Sequence, residues 1–105
     1  MVPPTLTLRE ISARPILLKL KRPVVARIAT IADWPMVLID LHTEEGVTGR
    51  AYLEPYATQS LKYLVAALHD LGQALKGQKL APIELFAAAR RSLHFVGYQG
   101  LSMIA

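Results

Sequence analysis

Apolar and polar residues alternate along the first half of the chain with the period of two that is typical of β-strands. Leu6 and Leu8 alternate with threonine and arginine, and an extended apolar pattern resumes further on, so we predict a first strand over residues 5–20. Pro15 lacks a backbone donor, so we expect this strand to lie at an edge of the sheet or to be irregular at this residue. Two further alternating runs flank a polar turn with a glycine, and they predict a hairpin over residues 36–54.

A segment without a strand pattern, residues 21–35, separates the first strand from the hairpin, and we predict a long loop there. Loops of this length in compact domains are usually functional or disordered, and the composition is not that of a disordered segment. We therefore interpret this loop as a lid over a binding site, with an unconstrained mobile loop as the alternative. Trp34, the one tryptophan of the chain, either anchors the hinge of such a lid or is buried in the core or an interface.

Beyond Pro55 the apolar residues recur at helical spacing. Thr58 is a suitable N-cap and Gly77 a suitable helix end, so the pattern predicts a helix over residues 58–76. The apolar face of this helix consists of Leu61, Leu64, Val65, Leu68, Leu71 and Leu75.

Pro82 suits the first turn of a second helix, which we predict over residues 82–95. The apolar stripe of this helix consists of Ile83, Phe86, Ala87 and Leu93. After a glycine-containing turn, residues 101–105 have the pattern of a third helix that is cut short. We therefore predict a single α+β domain over residues 1–105, in which a three-stranded antiparallel meander precedes a bundle of two to three helices.

The composition excludes several classes of function. No apolar run approaches the roughly 18 to 20 residues that span a bilayer. The first residues also lack the pattern of a secretory signal, so we expect no membrane partner and a cytoplasmic location. The absence of cysteine excludes disulfides, thiolate metal sites and thiol catalysis.

The chain carries a formal net charge of +4, and several of its basic residues lie close together in the sequence. These early basic residues are Arg14, Lys19, Lys21, Arg22 and Arg27. A basic run can mark a phosphate partner, but no aromatic residues interleave with this one to stack on bases. We interpret the charges as a solvated strand edge that discourages edge pairing, and we expect no nucleic-acid partner.

The residues that usually carry catalysis do not form a motif in this chain. His42, His69 and His94 are not spaced as metal ligands, and there is no paired-carboxylate motif. The GxSxG, HExxH and phosphate-binding glycine motifs are absent as well. We predict no catalytic residue and no metal ligand in this sequence.

Four stretches nevertheless resemble one family in their order and spacing, and they are PMVLIDLHTEEGVTGRAYLEPY, SLKYLVAALHDLGQALKG, LAPIELF and GYQGLSMIA. The strongest local signals are a V-x-I-x-L strand, an E-G-x-x-G hairpin and a G-Y-x-G turn. Together they resemble the N-terminal capping domain of the enolase superfamily, and most closely its mandelate racemase and muconate-lactonising branch. The resemblance extends from about Leu6 to Ala105.

The resemblance implies a C-terminal barrel, typically about 250 residues in this class of fold, which this sequence lacks. In the family, the barrel holds Mg²⁺ and the base that abstracts the proton α to a substrate carboxylate. We therefore expect the chain to be catalytically inert by itself and Mg²⁺ to be bound only in full-length family members. The expected partners are the missing barrel, a carboxylate-bearing small molecule and further copies in a homo-oligomer.

The resemblance also assigns residues to the substrate pocket. The lid contributes Val24, Val25, Arg27, Ile28 and Ile31, and the loop after the third strand contributes Glu54 and Tyr56. Tyr56 occupies a place where mandelate racemase also has a tyrosine, whereas Arg27 and Glu54 depart from that enzyme. An arginine in the lid can pair with a second carboxylate or a phosphate. These departures favour a more polar substrate such as a sugar acid, for which dehydration competes with racemisation.

A hypothesis from a different class is also compatible with the sequence. The chain can be a stand-alone α+β binding module that dimerises through apolar helix faces and has no catalytic role.

Overall fold

The computed structural model describes residues 5–105, and residues 1–4 of the predicted domain lie outside the described part. Three strands precede three helices, which are β1 (Leu8–Val25), β2 (Thr30–Thr43), β3 (Thr48–Leu53), α1 (Ser60–Leu75), α2 (Pro82–Ser92) and α3 (Leu101–Ile104). The strands form one antiparallel sheet in the order β1-β2-β3. The predicted α+β class and the three-stranded meander are confirmed.

The sheet follows the alternation of the sequence. Pro15 lies in the edge strand β1 opposite Val37, as its missing donor required. The turn from β2 to β3 contains Gly46 with a φ of 85°, a conformation that glycine adopts without strain. Thr43 closes this turn, because its hydroxyl donates to the Val47 carbonyl over 2.7 Å and accepts from the Val47 N–H over 2.9 Å.

The predicted loop over residues 21–35 is wrong, because most of this segment belongs to the sheet. β1 continues to Val25 and β2 begins at Thr30, so only residues 26–29 form the turn. Pairing across the two strands outweighs the prolines that suggested a loop, since Pro23 falls in an irregularity of the register. There residues 20–23 of β1 face the single residue Ala32 of β2. We call the paired end of this hairpin, residues 24–31, the hairpin extension.

The core lies between the sheet and α1, which packs mainly on β1 and also contacts β2. Leu64 and Val37 are fully buried, and a cluster with Ala13, Leu61 and Leu68 surrounds them. The leucines of the predicted apolar face of α1 are all buried, and Val65 is half-buried. The amphipathic pattern of this helix therefore identified its buried side.

The helix ends differ from the predicted ones for local reasons. α1 begins at Ser60 instead of residue 58, and Thr58 is not its N-cap. Gln59 holds that position without a side-chain cap, because the Ser60 and Leu61 N–H groups donate to backbone carbonyls of the preceding turn. α2 ends at Ser92 instead of residue 95, where the Leu93 N–H donates to carbonyls three and four residues back and tightens the last turn.

Two apolar surfaces stay uncovered within the described residues. In the predicted stripe of α2, Ile83 is 82% exposed and Phe86 is 66% exposed, whereas Ala87 and Leu93 are half-buried. On the α1 side of the sheet, a groove remains beside β3. Its lining includes Leu6, Ile39, Leu41, Val47, Ala51 and Leu80. Among residues 5–105, no helix is long and apolar enough to cross a membrane.

The beginning of the first strand is held from both sides. The Leu8 N–H donates to the Gln78 carbonyl over 2.9 Å, and the Gly77 N–H donates to the Leu8 carbonyl over 2.7 Å. From the other side, the Thr7 N–H donates to Oε2 of Glu45 over 2.8 Å. This hydrogen bond stabilises the carboxylate and lowers the pKa of Glu45 below its ordinary value.

Gly72 of α1 lies against Ile11 of β1, and replacing it tests the packing of the helix on the sheet. An added Cβ at Gly72 would lie 3.0 Å from Cβ of Ile11. We expect Gly72→Ala to lower the free energy of unfolding by about 1–3 kcal/mol, as overpacking does. Urea denaturation measures the change. Gly49→Ala is the matched control, because nothing lies within 4 Å of its added Cβ, and equal stability of the two variants would contradict the close contact.

The hydrogen bond from Thr7 to Glu45 makes the stability depend on pH. Because the pKa of Glu45 is lowered in the folded state, its contribution is fully present above the pKa of an unfolded glutamate. This contribution is lost as the pH falls through the lower folded value. We expect Glu45→Gln to flatten this acid-side loss in a series of urea titrations, whereas the neighbouring Glu44→Gln retains it. Identical pH profiles for wild type and Glu45→Gln would disprove the assignment.

Candidate functional site

The hairpin extension exposes apolar side chains at its tip. The Ala26 N–H donates to the Ala29 carbonyl over 2.9 Å and closes the turn. Val25, the last residue before the turn, is 78% exposed, and Ile28 within the turn is 94% exposed. Apolar side chains at this level of exposure gain nothing from contact with water, so this tip has the character of a surface that contacts another apolar group.

The strand pairing divides the predicted lid residues between two faces. Val24 is paired with Ile31, so these two side chains share one face, and Val25 is paired with Thr30 on the other. Arg27 and Ile28 lie in the turn itself. A flat substrate surface can therefore meet Val24 and Ile31 together, but not Val25 on the same side.

The second predicted segment follows β3 directly, and its backbone is unusual. Pro55 is buried, whereas Glu54 and Tyr56 are exposed. Tyr56 has a φ of 60°, and it is the only residue other than glycine with a positive φ in the described part of the chain. The Ala57 N–H donates to the Pro55 carbonyl over 2.6 Å, so Tyr56 occupies the centre of a three-residue γ-turn.

Trp34 joins the two segments. Its ring lies against the ring of Tyr56 in an edge-to-face arrangement, with 5.6 Å between the centroids and 76° between the planes. Trp34 belongs to β2, three residues beyond Ile31 at the base of the extension, and is half-buried. Trp34 is not among the pocket residues predicted from the sequence. The available signal was a lone tryptophan directly before the hairpin, which we interpreted as an anchor or a buried residue.

The sheet face that carries Trp34 is apolar at one end and polar at the other. At the apolar end, Leu18 is paired with Trp34 and Leu38 with Tyr52. The polar end holds His42, whose Nε2 is 3.2 Å from the Ser12 hydroxyl and whose Nδ1 is 3.5 Å from the Thr48 hydroxyl. Close to it, Arg50 and Asp40 form an ion pair of 3.4 Å. His42 thus links all three strands across the sheet.

The other histidines also have local partners. Nε2 of His69 accepts a hydrogen bond from the Ala13 N–H over 3.3 Å, at the edge of β1. Nδ1 of His94 is 2.8 Å from the hydroxyl of Tyr98. Within residues 5–105, no three histidine or carboxylate side chains converge to hold a metal ion. Because Mg²⁺ is held in proteins by oxygen ligands that surround it, these residues do not fit a Mg²⁺ site.

Comparison with known proteins relates this arrangement to a family. Residues 9–100 match the family model of the mandelate racemase / muconate lactonizing enzyme N-terminal domain. An enolase from the alpha proteobacterium BAL199 with bound Mg is 66% identical over 93% of this chain, with a TM-score of 0.89. An enolase from Bradyrhizobium complexed with magnesium and mandelic acid is 36% identical over 96% of this chain, with a TM-score of 0.86.

A dipeptide epimerase from Enterococcus faecalis, complexed with Mg and a dipeptide, shares the fold at 21% identity over 81% of this chain and a TM-score of 0.69. The chain covers 27%, 28% and 25% of the lengths of these three proteins. The family and the fold expected from the sequence motifs are confirmed, and the chain corresponds to about a quarter of such a protein.

Proposed function

Because the chain belongs to the mandelate racemase / muconate lactonizing enzyme family as its N-terminal domain, we propose that it closes the active site of a longer enzyme. That enzyme abstracts the proton α to the carboxylate of a hydroxy acid or sugar acid, and the product is formed by racemisation or dehydration. The Bradyrhizobium relative, which is complexed with magnesium and mandelic acid, supports a substrate of this class.

The observation that carries the proposal is the exposed apolar tip of the hairpin extension. Ile28 is almost fully exposed and Val25 nearly as much, and a stable monomer gains nothing from this arrangement. A tip that covers a substrate removes the same side chains from water only while the site is closed. Closure also excludes water from the reacting groups, which strengthens the electrostatic interactions there.

The irregular register at the base of the extension supports movement as a unit. Residues 20–23 bulge opposite Ala32, so regular pairing is interrupted between the body of the sheet and the paired tip. Backbone that is not in a regular ladder opens at lower cost than the strands of the core. The bulge is therefore the hinge of the proposed lid.

The proposed pocket has an apolar and a polar contribution from this chain. Tyr56, whose ring lies against the indole of Trp34, supplies an aromatic wall, which suits an apolar or aryl part of the substrate. Arg27 in the lid and Glu54 beside the wall supply charged groups, which suit hydroxyl or carboxylate groups on a sugar acid. If the aromatic wall faces the substrate, we expect an aryl acid. If Arg27 and Glu54 face it, we expect a sugar acid.

Catalysis itself belongs to the remainder of the proposed enzyme. The described residues do not fit a Mg²⁺ site, whereas both of the more similar relatives contain magnesium. We therefore assign the metal and the proton-abstracting base to a C-terminal barrel that the domain contacts. The proposal also includes a homo-oligomeric enzyme in the cytoplasm, in keeping with a chain without cysteine.

Exchange of the α-proton tests the reaction class directly. We expect the full-length protein to incorporate deuterium from D₂O at the α-carbon of its substrate, and NMR of a panel of aryl, aliphatic and sugar 2-hydroxy acids measures this. We expect EDTA to abolish the exchange and Mg²⁺ to restore it. Absence of exchange for the whole panel would disprove the proposed reaction.

Substitution at the tip tests the lid. We expect Ile28→Ser in the full-length protein to raise KM about three- to tenfold, because the closed state loses an apolar contact that water does not replace. Steady-state kinetics measures the change. Val96→Ser is the control, since it also replaces an exposed branched apolar side chain, one that is 72% exposed and lies outside the hairpin extension. Equal kinetics for both variants would contradict the lid.

The uncovered apolar side of α2 favours a second candidate function. Ile83, Phe86 and Phe95 are exposed, with Phe95 at 99%, and an apolar patch of this kind suits a stand-alone module that dimerises. The mass of the native polypeptide separates the two hypotheses. A product near 11.6 kDa supports the module, and a product larger by about 250 residues supports the enzyme.

A further inference from the structure

We propose that Trp34 is a positioning residue, which holds the ring of Tyr56 in the one orientation that completes the pocket wall. The inference rests on the proposed function for its link to substrate, but the contact between the two rings and the backbone of Tyr56 are independent of it. Trp34 itself need not touch the substrate.

The backbone of Tyr56 is in a conformation that its side chain disfavours. A φ of 60° brings Cβ too close to the backbone for a residue of this size, and the γ-turn around it is the strained form. Strained residues persist only where the surroundings hold them, and they are concentrated at functional sites. The elements that hold Tyr56 in place are therefore part of its function.

The backbone on either side of Tyr56 is fixed. Pro55 is buried, and the Ser60 N–H donates to the Ala57 carbonyl over 3.0 Å. The exit from β3 and the entry to α1 thus hold both ends of the γ-turn. These contacts limit where the chain can pass, but they do not orient the ring.

The orientation of the ring depends on Trp34. The Tyr56 side chain is 66% exposed, so few other groups surround it, and its edge-to-face contact with Trp34 is its one aromatic contact in the described residues. Trp34 is the fixed member of the pair, because it is half-buried and its strand is paired with Leu18. An indole that is held by the sheet can restrain a mobile phenol, whereas the reverse does not apply.

The pair also connects the lid to the second loop. Trp34 lies in the same strand as Ile31, which belongs to the hairpin extension. A movement of the backbone at the base of the hairpin extension therefore displaces the ring of Tyr56 through its contact with Trp34. Loss of the indole is expected to release the ring of Tyr56 and to leave the fold of the sheet unchanged.

Limited proteolysis tests the release without reference to activity. Chymotrypsin binds the tyrosine ring in its own pocket before it cleaves the following bond, so a Tyr56 ring held against Trp34 protects the bond between Tyr56 and Ala57. We expect Trp34→Ala in the full-length protein to speed cleavage at this bond at least threefold, and Trp34→Phe to remain near wild type because it keeps an aromatic ring. Trp34→Leu serves as a second variant, since it retains apolar bulk for folding but removes the ring contact.

Cleavage after Tyr63 in α1 is the internal control. Release of Tyr56 alone leaves this bond protected, whereas general loosening of the domain exposes both bonds. Unchanged cleavage at Tyr56 in both Trp34→Ala and Trp34→Leu, or an equal rise at Tyr63, would overturn the proposal.

A double-mutant cycle then tests the link to substrate. We expect Trp34→Ala to raise KM about three- to tenfold with kcat nearly unchanged. The released ring of Tyr56 loses a contact with the substrate that it makes equally in the ground and transition states. If Trp34 acts through Tyr56, the double variant Trp34→Ala/Tyr56→Ala resembles Tyr56→Ala alone. Additive effects of the two substitutions would overturn the positioning role.

The two experiments fail in different ways. A wild-type protein without any α-proton exchange removes the proposed function, and the cleavage pattern still decides whether Trp34 holds Tyr56. An active enzyme whose Trp34→Ala and Trp34→Leu variants keep wild-type cleavage and KM retains the proposed function and removes this inference.

Discussion

The packing of α1 on β1 is the contact on which the rest of the domain depends. Leu64 and Val37 are fully buried between helix and sheet, and Gly72 allows the helix to approach Ile11 as closely as backbone and side chain permit. Because α1 is fixed along β1, the chain that leaves the helix passes beside Leu8 and closes the exposed edge of the strand with backbone hydrogen bonds. β1 is thereby held along the core, and its far end, paired with β2, extends beyond the core as the hairpin extension.

One helix cannot cover a three-stranded sheet, and the consequences extend over the whole surface. α1 covers β1 and part of β2, so the groove beside β3 remains open. On α2, Ile83 and Phe86 are exposed as well. A domain of this size buries a smaller share of its surface than a larger one does. The uncovered apolar surfaces agree with a chain that spans about a quarter of the length of its relatives, at 27% of one and 28% of another. The same surfaces would serve an independent module only if a second copy covered them.

The sheet face opposite α1 carries polar contacts between strands at one end and the aromatic pair of the proposed pocket at the other. At the polar end, His42 bridges the neighbouring strands through Ser12 and Thr48, which fixes the register of the meander. At the aromatic end, Trp34 and Tyr56 meet where the strands leave the core. The register and the proposed pocket wall are coupled, because a slip of one residue would turn Trp34 to the other face of β2 and separate it from Tyr56.

The sequence by itself determined the features that depend on near neighbours along the chain. The alternation of apolar residues placed the strands, the helical spacing identified the buried leucines of α1, and the order of short motifs indicated the family.

Only the tertiary structure decided the rest. Residues 21–35 contain prolines that predict a loop, yet pairing between the two arms of the hairpin, as of Val24 with Ile31, makes most of them part of the sheet. The apolar stripe of α2 was recognisable, but its exposure depends on what packs against it. A tyrosine at position 56 does not predict a positive φ. This backbone conformation occurs between the buried Pro55 and the hydrogen-bonded entry to α1. The contact of Trp34 with Tyr56 joins β2 to the turn that follows β3, and such a contact exists only once the sheet has brought β2 and β3 together.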